Sequence, residues 1–400
     1  MSFVPRSEHR GKCVWRSGRK QVGCHPLVRW DVTERMSRQV TQSGSGADAH
    51  VFRLAAESVP IDEARLAAYL AGIGLPLDTS EPVRQFGTGL ANINYRLTAG
   101  GRRLVLRRPP SGDLPPGAHD MSREHRILSR LWRVHPLAPE SLHLCEDKSV
   151  IGVPFQLIDY RPGLVIKGDD RSRFEGRPEL ARATSDMLVA TLISVHRVDC
   201  AAIGLDTLGK PEGFIARTLK GWAGRGQRLD VAPETARLLA EVTTWLEQQT
   251  VRTRAPVLLH SDFKLDNMIV HPETLAPVAI VDWDMGTRGD PLFDLATTLS
   301  YWVEPDDPPC LHALRQMPTA APGFAKRRDV LTAYAREMDI DASDWPALRV
   351  LALLKLAVVL LQLFALYQRG AAKGADYAEL DRIATELLAY ATDVAHGRAD

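Results

Sequence analysis

Cysteine is scarce in this chain: five residues in 400, at positions 13, 24, 145, 200 and 310. They are odd in number, widely scattered, and never spaced as C-x-x-C, so neither a zinc site nor a disulfide framework is indicated. Free thiols of this kind suit a reducing cytoplasmic setting. An excess of one charge sign is also missing. Lys plus Arg total 50 against 49 for Asp plus Glu, a net charge of +1, which argues against a general nucleic-acid binder. A secretory signal pattern is absent too, because Arg10, Lys12 and Arg16 interrupt the first apolar stretch. The most apolar segment, LALLKLAVVLLQLFALYQRG from Leu351, is free of charge only from Leu356 to Gln368. That run falls short of the roughly 20 residues a bilayer span requires. It reads as a buried helix, with no membrane association expected.

What remains is a globular chain. Its 45% hydrophobic content can fill a sizeable core, and its length suits one large bilobal unit or two domains. Residues 1–55 are rich in Arg, Ser, Gly and Gln without sustained period; they read as a disordered leader, with Met36 an alternative start. A helix is expected near Asp62–Ala71. Two alternating segments about Gly100–Gly101 then read as a hairpin, ended by Pro109–Pro110. A helix near Met121–Trp132 and a strand region over 149–163 follow. Beyond them amphipathic helices dominate: 179–196, 233–249, 327–337, 346–369 and 377–396. The expectation is α+β: a small β-rich N-lobe over 56–160 and a larger, mainly helical C-lobe over 161–400.

One polar insert interrupts the helices. His260-Ser261-Asp262-Phe263-Lys264-Leu265-Asp266-Asn267 lies between the apolar runs Val257–Leu259 and Met268–Val270, and Asp282 ends the apolar run Val278–Val281. Two strands that each deliver a carboxylate or amide at one end can converge those groups on a cation. Mg²⁺ prefers hard oxygen ligands and takes the remainder from water or phosphate, so Asn267 and Asp282 plus a nucleotide suffice. Phosphoryl transfer also needs a group that orients the attacking hydroxyl and a cation near the γ-phosphate. Asp262 and Lys264 can supply these. His260 reads as structural, its ring bonded to loop backbone. Asp284 is either a second metal ligand or a solvated acid.

This segment resembles the catalytic loop of the aminoglycoside phosphotransferase and choline kinase superfamily, which shares the bilobal protein-kinase-like fold. The resemblance implies ATP, with GTP as an alternative, and a small-molecule hydroxyl as acceptor. It makes Asp262 the base, Asn267 a metal ligand, and Asp282 the counterpart of the Asp in the kinase D-F-G motif. The family commonly has Gly where Ser261 stands, and a second small residue is expected to cause little harm. Gly289-Asp290-Pro291 with Asp294-Leu295-Ala296 matches the family's G-D-P-x-x-D-L-A signature; Asp290 and Asp294 are expected to cap a helix and pin the loop. A protein-kinase activation segment is not recognisable after Asp282. The Ile193–Asp199 and Gly209–Phe214 stretches, with Pro109-Pro110 and 118–121, are similar to a subgroup also found fused to acyl-CoA dehydrogenases.

On the nucleotide side, Gly87 and Gly89 sit at a strand turn, where missing side chains let backbone amides approach phosphates; Asn92 belongs to the same turn. Arg107 falls where the superfamily usually has a phosphate-binding Lys, with Arg108 a rival one register away. A guanidinium binds phosphate well. Glu124 is the natural partner of that Arg. By the same resemblance, backbone groups near Asp159 and Arg161 hold the adenine. A regulator that binds nucleotide without catalysis is the competing reading, favoured only by the missing Lys at 107. For the acceptor, Glu304, Asp306 and Asp307 would suit a polycationic aminoglycoside. Lys326-Arg327-Arg328 would suit an anionic hydroxy acid or acyl thioester, with Arg327 expected to contact it.

Overall fold

The computed structural model describes residues 52–87, 92–110, 120–168, 170–371 and 374–399. The expected leader up to 51, with Cys13, Cys24 and Met36, lies outside them, as do Gly89 and residues 118–119. Residues 52–55 of that expected leader are among the described ones. The Phe52 ring packs 4.9 Å from that of Phe86, Arg84 lies 4.1 Å above it, and Arg53 N–H donates to the Gln85 carbonyl at 2.9 Å.

Helix α1 (Glu63–Gly72) starts at Asp62, whose side chain accepts from the Arg65 amide, and buries Leu66 and Leu70. Strands β1 (Arg84–Gln85), β2 (Ile93–Ala99) and β3 (Arg102–Arg108) follow. Gly100 and Gly101 join β2 to β3 with φ of 56° and 72°. Two successive positive φ values are what a two-residue hairpin matched to strand twist requires. After α2 (Met121–Leu131) come β4 (Ser141–Cys145), the single turn α3 (Lys148–Ile151) and β5 (Phe155–Asp159). The strand expected from Ser149 is therefore helical at first: Asp147 caps that turn through the Ser149 amide, and Gly152 closes it at φ 86°. All five strands form one antiparallel sheet, ordered β1-β2-β3-β5-β4. Leu97, Leu104, Leu106, Phe155 and Leu157 fill a small core against α1.

A second, larger core holds the rest. Strand β6 (Leu164–Val165) leads to helices α4 (Pro178–His196), α5 (Phe214–Gly226) and α6 (Pro233–Glu247). The polar insert supplies β7 (Val257–Leu259), β8 (Met268–Val270), β9 (Pro277–Ile280) and β10 (Thr287–Gly289). Its β8 pairs with β6 and β9, and its β7 with β10, all antiparallel. Helices α7 (Pro291–Ser300), α8 (Pro309–Leu314), α9 (Arg327–Met338), α10 (Trp345–Gln368) and α11 (Leu380–Ala395) complete the lobe. α10 is long and apolar enough to cross a membrane by composition, yet 61% of its most apolar window is buried against neighbouring helices, so the expected buried helix is what forms. α2 is assigned to the N-lobe by sequence, but Ile127, Leu128 and Leu131 belong to the larger core. One helix thus ties the sheet to the larger core.

Candidate active site

The loop from His260 to Asn267, the candidate catalytic segment, is held by buried polar partners. Asp294, on the first turn of α7, accepts the amide hydrogens of His260 and Ser261 at 2.8 Å each and faces His196 Nε2 at 3.1 Å. Three donors on one buried carboxylate outweigh the penalty of burial, so its pKa is lowered. The His260 ring is structural, as expected. Its Nε2 faces the Val281 carbonyl at 3.0 Å, which leaves Nδ1 to accept from the Asp262 amide at 3.3 Å. Ser261 has φ 68°. That left-handed conformation is why Gly suits this position, so the departure to Ser carries more backbone strain than expected. The Ser261 carbonyl accepts from Lys355 Nζ of α10 at 2.6 Å.

Asp262 is presented with its oxygens partly committed. Tyr301 Oη donates to Oδ1 at 2.6 Å, and Asn267 Nδ2 donates to Oδ2 at 2.9 Å and to the Asp262 carbonyl at 2.8 Å. Burial and the Asp262 charge push the Tyr301 phenol well above its ordinary pKa, so it stays a donor. An ionised carboxylate has about four acceptor directions, so capacity remains for an incoming hydroxyl. Lys264 Nζ lies 3.6 Å from Asp262 Oδ2 and 3.5 Å from Asp266, donates to Gln316 Oε1 at 3.0 Å, and sits 5.0 Å from the Tyr301 ring centroid. Burial lowers its pKa, but the neighbouring carboxylates more than offset this, and it remains charged.

Beside the loop, which bonds Val281 through His260 and Asn267, stands an acidic cluster around one guanidinium. Arg107 Nε donates to Glu124 Oε2 at 2.7 Å, and its Nη2 donates to Asp282 Oδ1. Glu124 is 1% exposed; it also accepts from Gln156 Nε2 and, at 3.0 Å, from the Trp283 amide. Arg107 rather than Arg108 therefore faces the acids, while Arg108 Nε donates to the Pro109 carbonyl at 3.2 Å. Asp282 also has a positive φ, 66°. Burial raises its pKa, but Arg107, His260 and Lys264 bring it below the ordinary range. Burial beside Asp282 and Glu124 pushes Asp284 up to about 8. Asp284 is thus no solvated acid: its Oδ2 accepts from Asn92 Nδ2 at 3.3 Å and its backbone carbonyl from Arg123 at 3.0 Å.

The donor set fits a hard divalent cation. Asn267 spends its amide hydrogens on Asp262, which leaves Oδ1 as its ligand atom, and Asp282 with Asp284 adds carboxylate oxygens to a cluster with more acids than Arg107 balances. Among the described residues no group of three His, Cys, Asp or Glu side chains is arranged to hold a metal by itself. Phosphate oxygens would complete the shell, as Mg²⁺ sites commonly require.

The remaining sequence candidates land unevenly. Gly87 is exposed at the bend after β1. Asn92 is buried, and its Nδ2 donates to Asp284 Oδ2 at 3.3 Å. Asp159 and Arg161 pair with each other at 3.1 Å, and the Asp159 amide donates to the Glu140 carbonyl at 2.8 Å, which removes it as a donor to a base. Arg327 is a correction. It is 7% exposed; its guanidinium holds Asp307, at 2.7 Å from Nη2, and the Trp302 carbonyl, at 3.1 Å from Nη1, while its amide donates to Glu304 at 2.6 Å. Arg327 therefore engages both Glu304 and Asp307, which takes these three residues out of the acceptor surfaces expected, while Asp306, Lys326 and Arg328 are exposed. Tyr301, Gln156, Gln316 and Lys355 were not singled out as functional residues. Only Lys355 left a signal: a lone Lys inside an apolar helix.

Residues 82–330 match the model of the phosphotransferase enzyme family. The chain is 30% identical over 342 residues to acyl-CoA dehydrogenase family member 10 of Mus musculus, covering 85% of this chain and 32% of that protein. It is 29% identical over 311 residues to family member 11 of Rattus norvegicus, covering 77% and 39%. It thus spans about a third of the length of these curated relatives. Among solved structures, a Ralstonia eutropha JMP134 protein assigned to the aminoglycoside phosphotransferases superposes with a TM-score of 0.68 at 24% identity, covering 84% of this chain and 99% of that one. Aminoglycoside phosphotransferase APH(4)-Ia, in complex with ADP and hygromycin B, superposes at 0.52 with 14% identity over 81% and 98%. The bilobal kinase-like fold is thus shared with those structures. The chain belongs to the phosphotransferase enzyme family.

Proposed function

We propose that this phosphotransferase moves the γ-phosphoryl group of ATP to a hydroxyl of a small molecule with the help of Mg²⁺. The observation that carries this reading is Asp262. Its carboxylate is fixed by Tyr301 and Asn267 on a loop bonded to Val281, and the cluster of Arg107, Asp282 and Asp284 begins at the next residue. Asp262 orients the acceptor O–H and takes its proton as the new O–P bond forms and the bridging β–γ P–O bond breaks. Lys264 supplies positive charge beside that oxygen, and Arg107, held in place by Glu124, does so on the nucleotide side. Asn267 and Asp282 would hold the Mg²⁺, which supplies charge neutralisation along the phosphate chain. The adenine would meet the Arg161 N–H. GTP is the second nucleotide to try, because aminoglycoside 2'-phosphotransferase-IIIa, similar in fold, has been solved with GDP.

For the acceptor we propose a hydroxy acid or a hydroxyacyl thioester. Kinship with acyl-CoA dehydrogenase family members supports this, and so does the engagement of Glu304 and Asp307 by Arg327, which removes two acids a polycation would need. The test is Mg²⁺-dependent ATP consumption across hydroxy acids, their thioesters and aminoglycosides, with Asp262→Ala as control. Consumption that persists in Asp262→Ala would overturn the site. Turnover of aminoglycosides alone would overturn the acceptor class.

A further inference from the structure

A cavity of about 340 Å³ opens between α9 and α10, lined by Arg327, Arg328, Leu331, Trp345 and Arg349. Arg349 decides its character. Its side chain is 2% exposed, yet among the described residues no carboxylate lies within ion-pair distance of it. One nitrogen, Nη1, donates to the Leu299 carbonyl at 2.9 Å. The other terminal nitrogen, Nη2, is buried without a hydrogen-bond partner among the described residues. Asp307 relieves it only in part, because Asp307 and Glu304 are engaged by Arg327. A buried cation is normally paired, since an unpaired charge and an orphaned donor each cost stability. Burial and repulsion from Arg327 lower the pKa of Arg349, as an uncompensated cation requires.

We infer that this cavity binds the oxyanion of a small metabolite, a carboxylate or a phosphate, with Arg349 as its buried anchor and Arg328 closing over it from the surface. A guanidinium with a free edge matches either anion through directed N–H bonds. Leu331 and Trp345 offer apolar walls to the rest of the molecule, and the volume is that of a small ligand site. The site is separate from the phosphoryl-transfer centre. Lys355, which touches the catalytic loop, lies six residues further along α10, a rise of roughly 9 Å. The inference therefore does not depend on the identity of the phosphoryl acceptor.

The test is calorimetric titration of the full chain with inorganic phosphate and, separately, succinate. Saturating AMP-PNP with Mg²⁺ occupies the nucleotide site, and chloride holds ionic strength constant. The expected result is one binding event per chain for at least one anion, weakened at least tenfold by Arg349→Met and measurably by Arg328→Ala. Phosphate binding without succinate binding assigns a phosphate ligand, and the reverse a carboxylate. Absence of binding by both anions, or binding that neither variant changes, overturns the inference. If Arg349→Met does not fold, Arg328→Ala decides it: Arg328 is an exposed residue whose replacement leaves the core untouched.

Discussion

Lys355 offers the sharpest test of how the catalytic loop is held. It is a cation 5% exposed in a 24-residue apolar helix, and its Nζ donates to the Ser261 carbonyl at 2.6 Å, one residue before Asp262. Burial lowers its pKa, with Asp262 and Asp294 opposing that effect. Lys355→Met keeps most of the volume and removes only the charge and the hydrogen bond. A charge-assisted hydrogen bond contributes about 1.5–3 kcal/mol. If that is lost wholly from the transition state, turnover falls roughly ten- to a hundredfold. The fold should survive, because removing a desolvated cation recovers part of what the lost bond costs. Affinity for nucleotide should stay unchanged, since Lys355 braces the Asp262 side and not the Arg107 side. The assay is ADP release from Mg-ATP with water as acceptor, beside a fluorescence titration of nucleotide binding and a thermal melt. A rate within twofold of the parent at an intact melt would refute the reasoning, as would a matching collapse of nucleotide affinity.

Four further outcomes are expected. Asp262→Asn should lower transfer by about 10²–10⁴, the range of general-base catalysis, with nucleotide affinity retained in a binding titration. Arg107→Ala should weaken nucleotide binding and also lower stability by about 3–5 kcal/mol in urea unfolding, because buried Glu124 loses its partner. Arg327→Glu should act on stability rather than acceptor affinity, lowering the melting temperature by placing a third acid beside Glu304 and Asp307. His135 is 5% exposed and burial takes its pKa down to about 4. The unfolded state, with a pKa of about 6.5, binds the extra proton. About 3 kcal/mol of stability present above pH 6.5 is therefore lost as pH falls toward 4, and urea midpoints of His135→Gln should depend less on pH in that window.

The catalytic loop was legible because its chemistry is local: Asp262, Lys264 and Asn267 fall within six consecutive positions, and apolar strands announce their ends. Arg107, Glu124 and Asp282 could be paired only through the fold resemblance, because they lie on three separate elements that the chain brings together over long range. The failures have physical causes as well. Ser149–Ile151 carries β-branched residues, yet the Asp147 cap and Gly152 turn it helical. Arg327 sits in a basic run that looks like an exposed patch. Nothing in a linear reading shows that Glu304 and Asp307, some twenty residues earlier, turn back to meet it. Tyr301 and Gln316 were unreadable for the same reason: each enters the site from a segment with no motif of its own.

Two of the non-glycine residues in left-handed backbone, Ser261 and Asp282, lie in adjoining segments of the site, joined by the bonds from His260 to the Val281 carbonyl and from the Val281 amide to the Asn267 carbonyl. A non-glycine residue in that conformation costs of order 1–3 kcal/mol and persists only where its surroundings over-determine it. Each is over-determined here by charged groups on both sides. The Ser261 amide is held by Asp294 and its carbonyl by Lys355; the Asp282 side chain is held by Arg107, and the amide that follows it by Glu124. The cations and acids that pin these peptides come from α2, β3, α7 and α10, none of which belongs to the loop itself. A rigid frame therefore bears the strain and points the two carboxylates at one volume. The pinning bonds exist before any ligand arrives, so the alignment is not left for the substrate to impose. That is the arrangement electrostatic preorganisation requires, in which the free energy of aligning the charges is spent during folding and not at the moment of transfer.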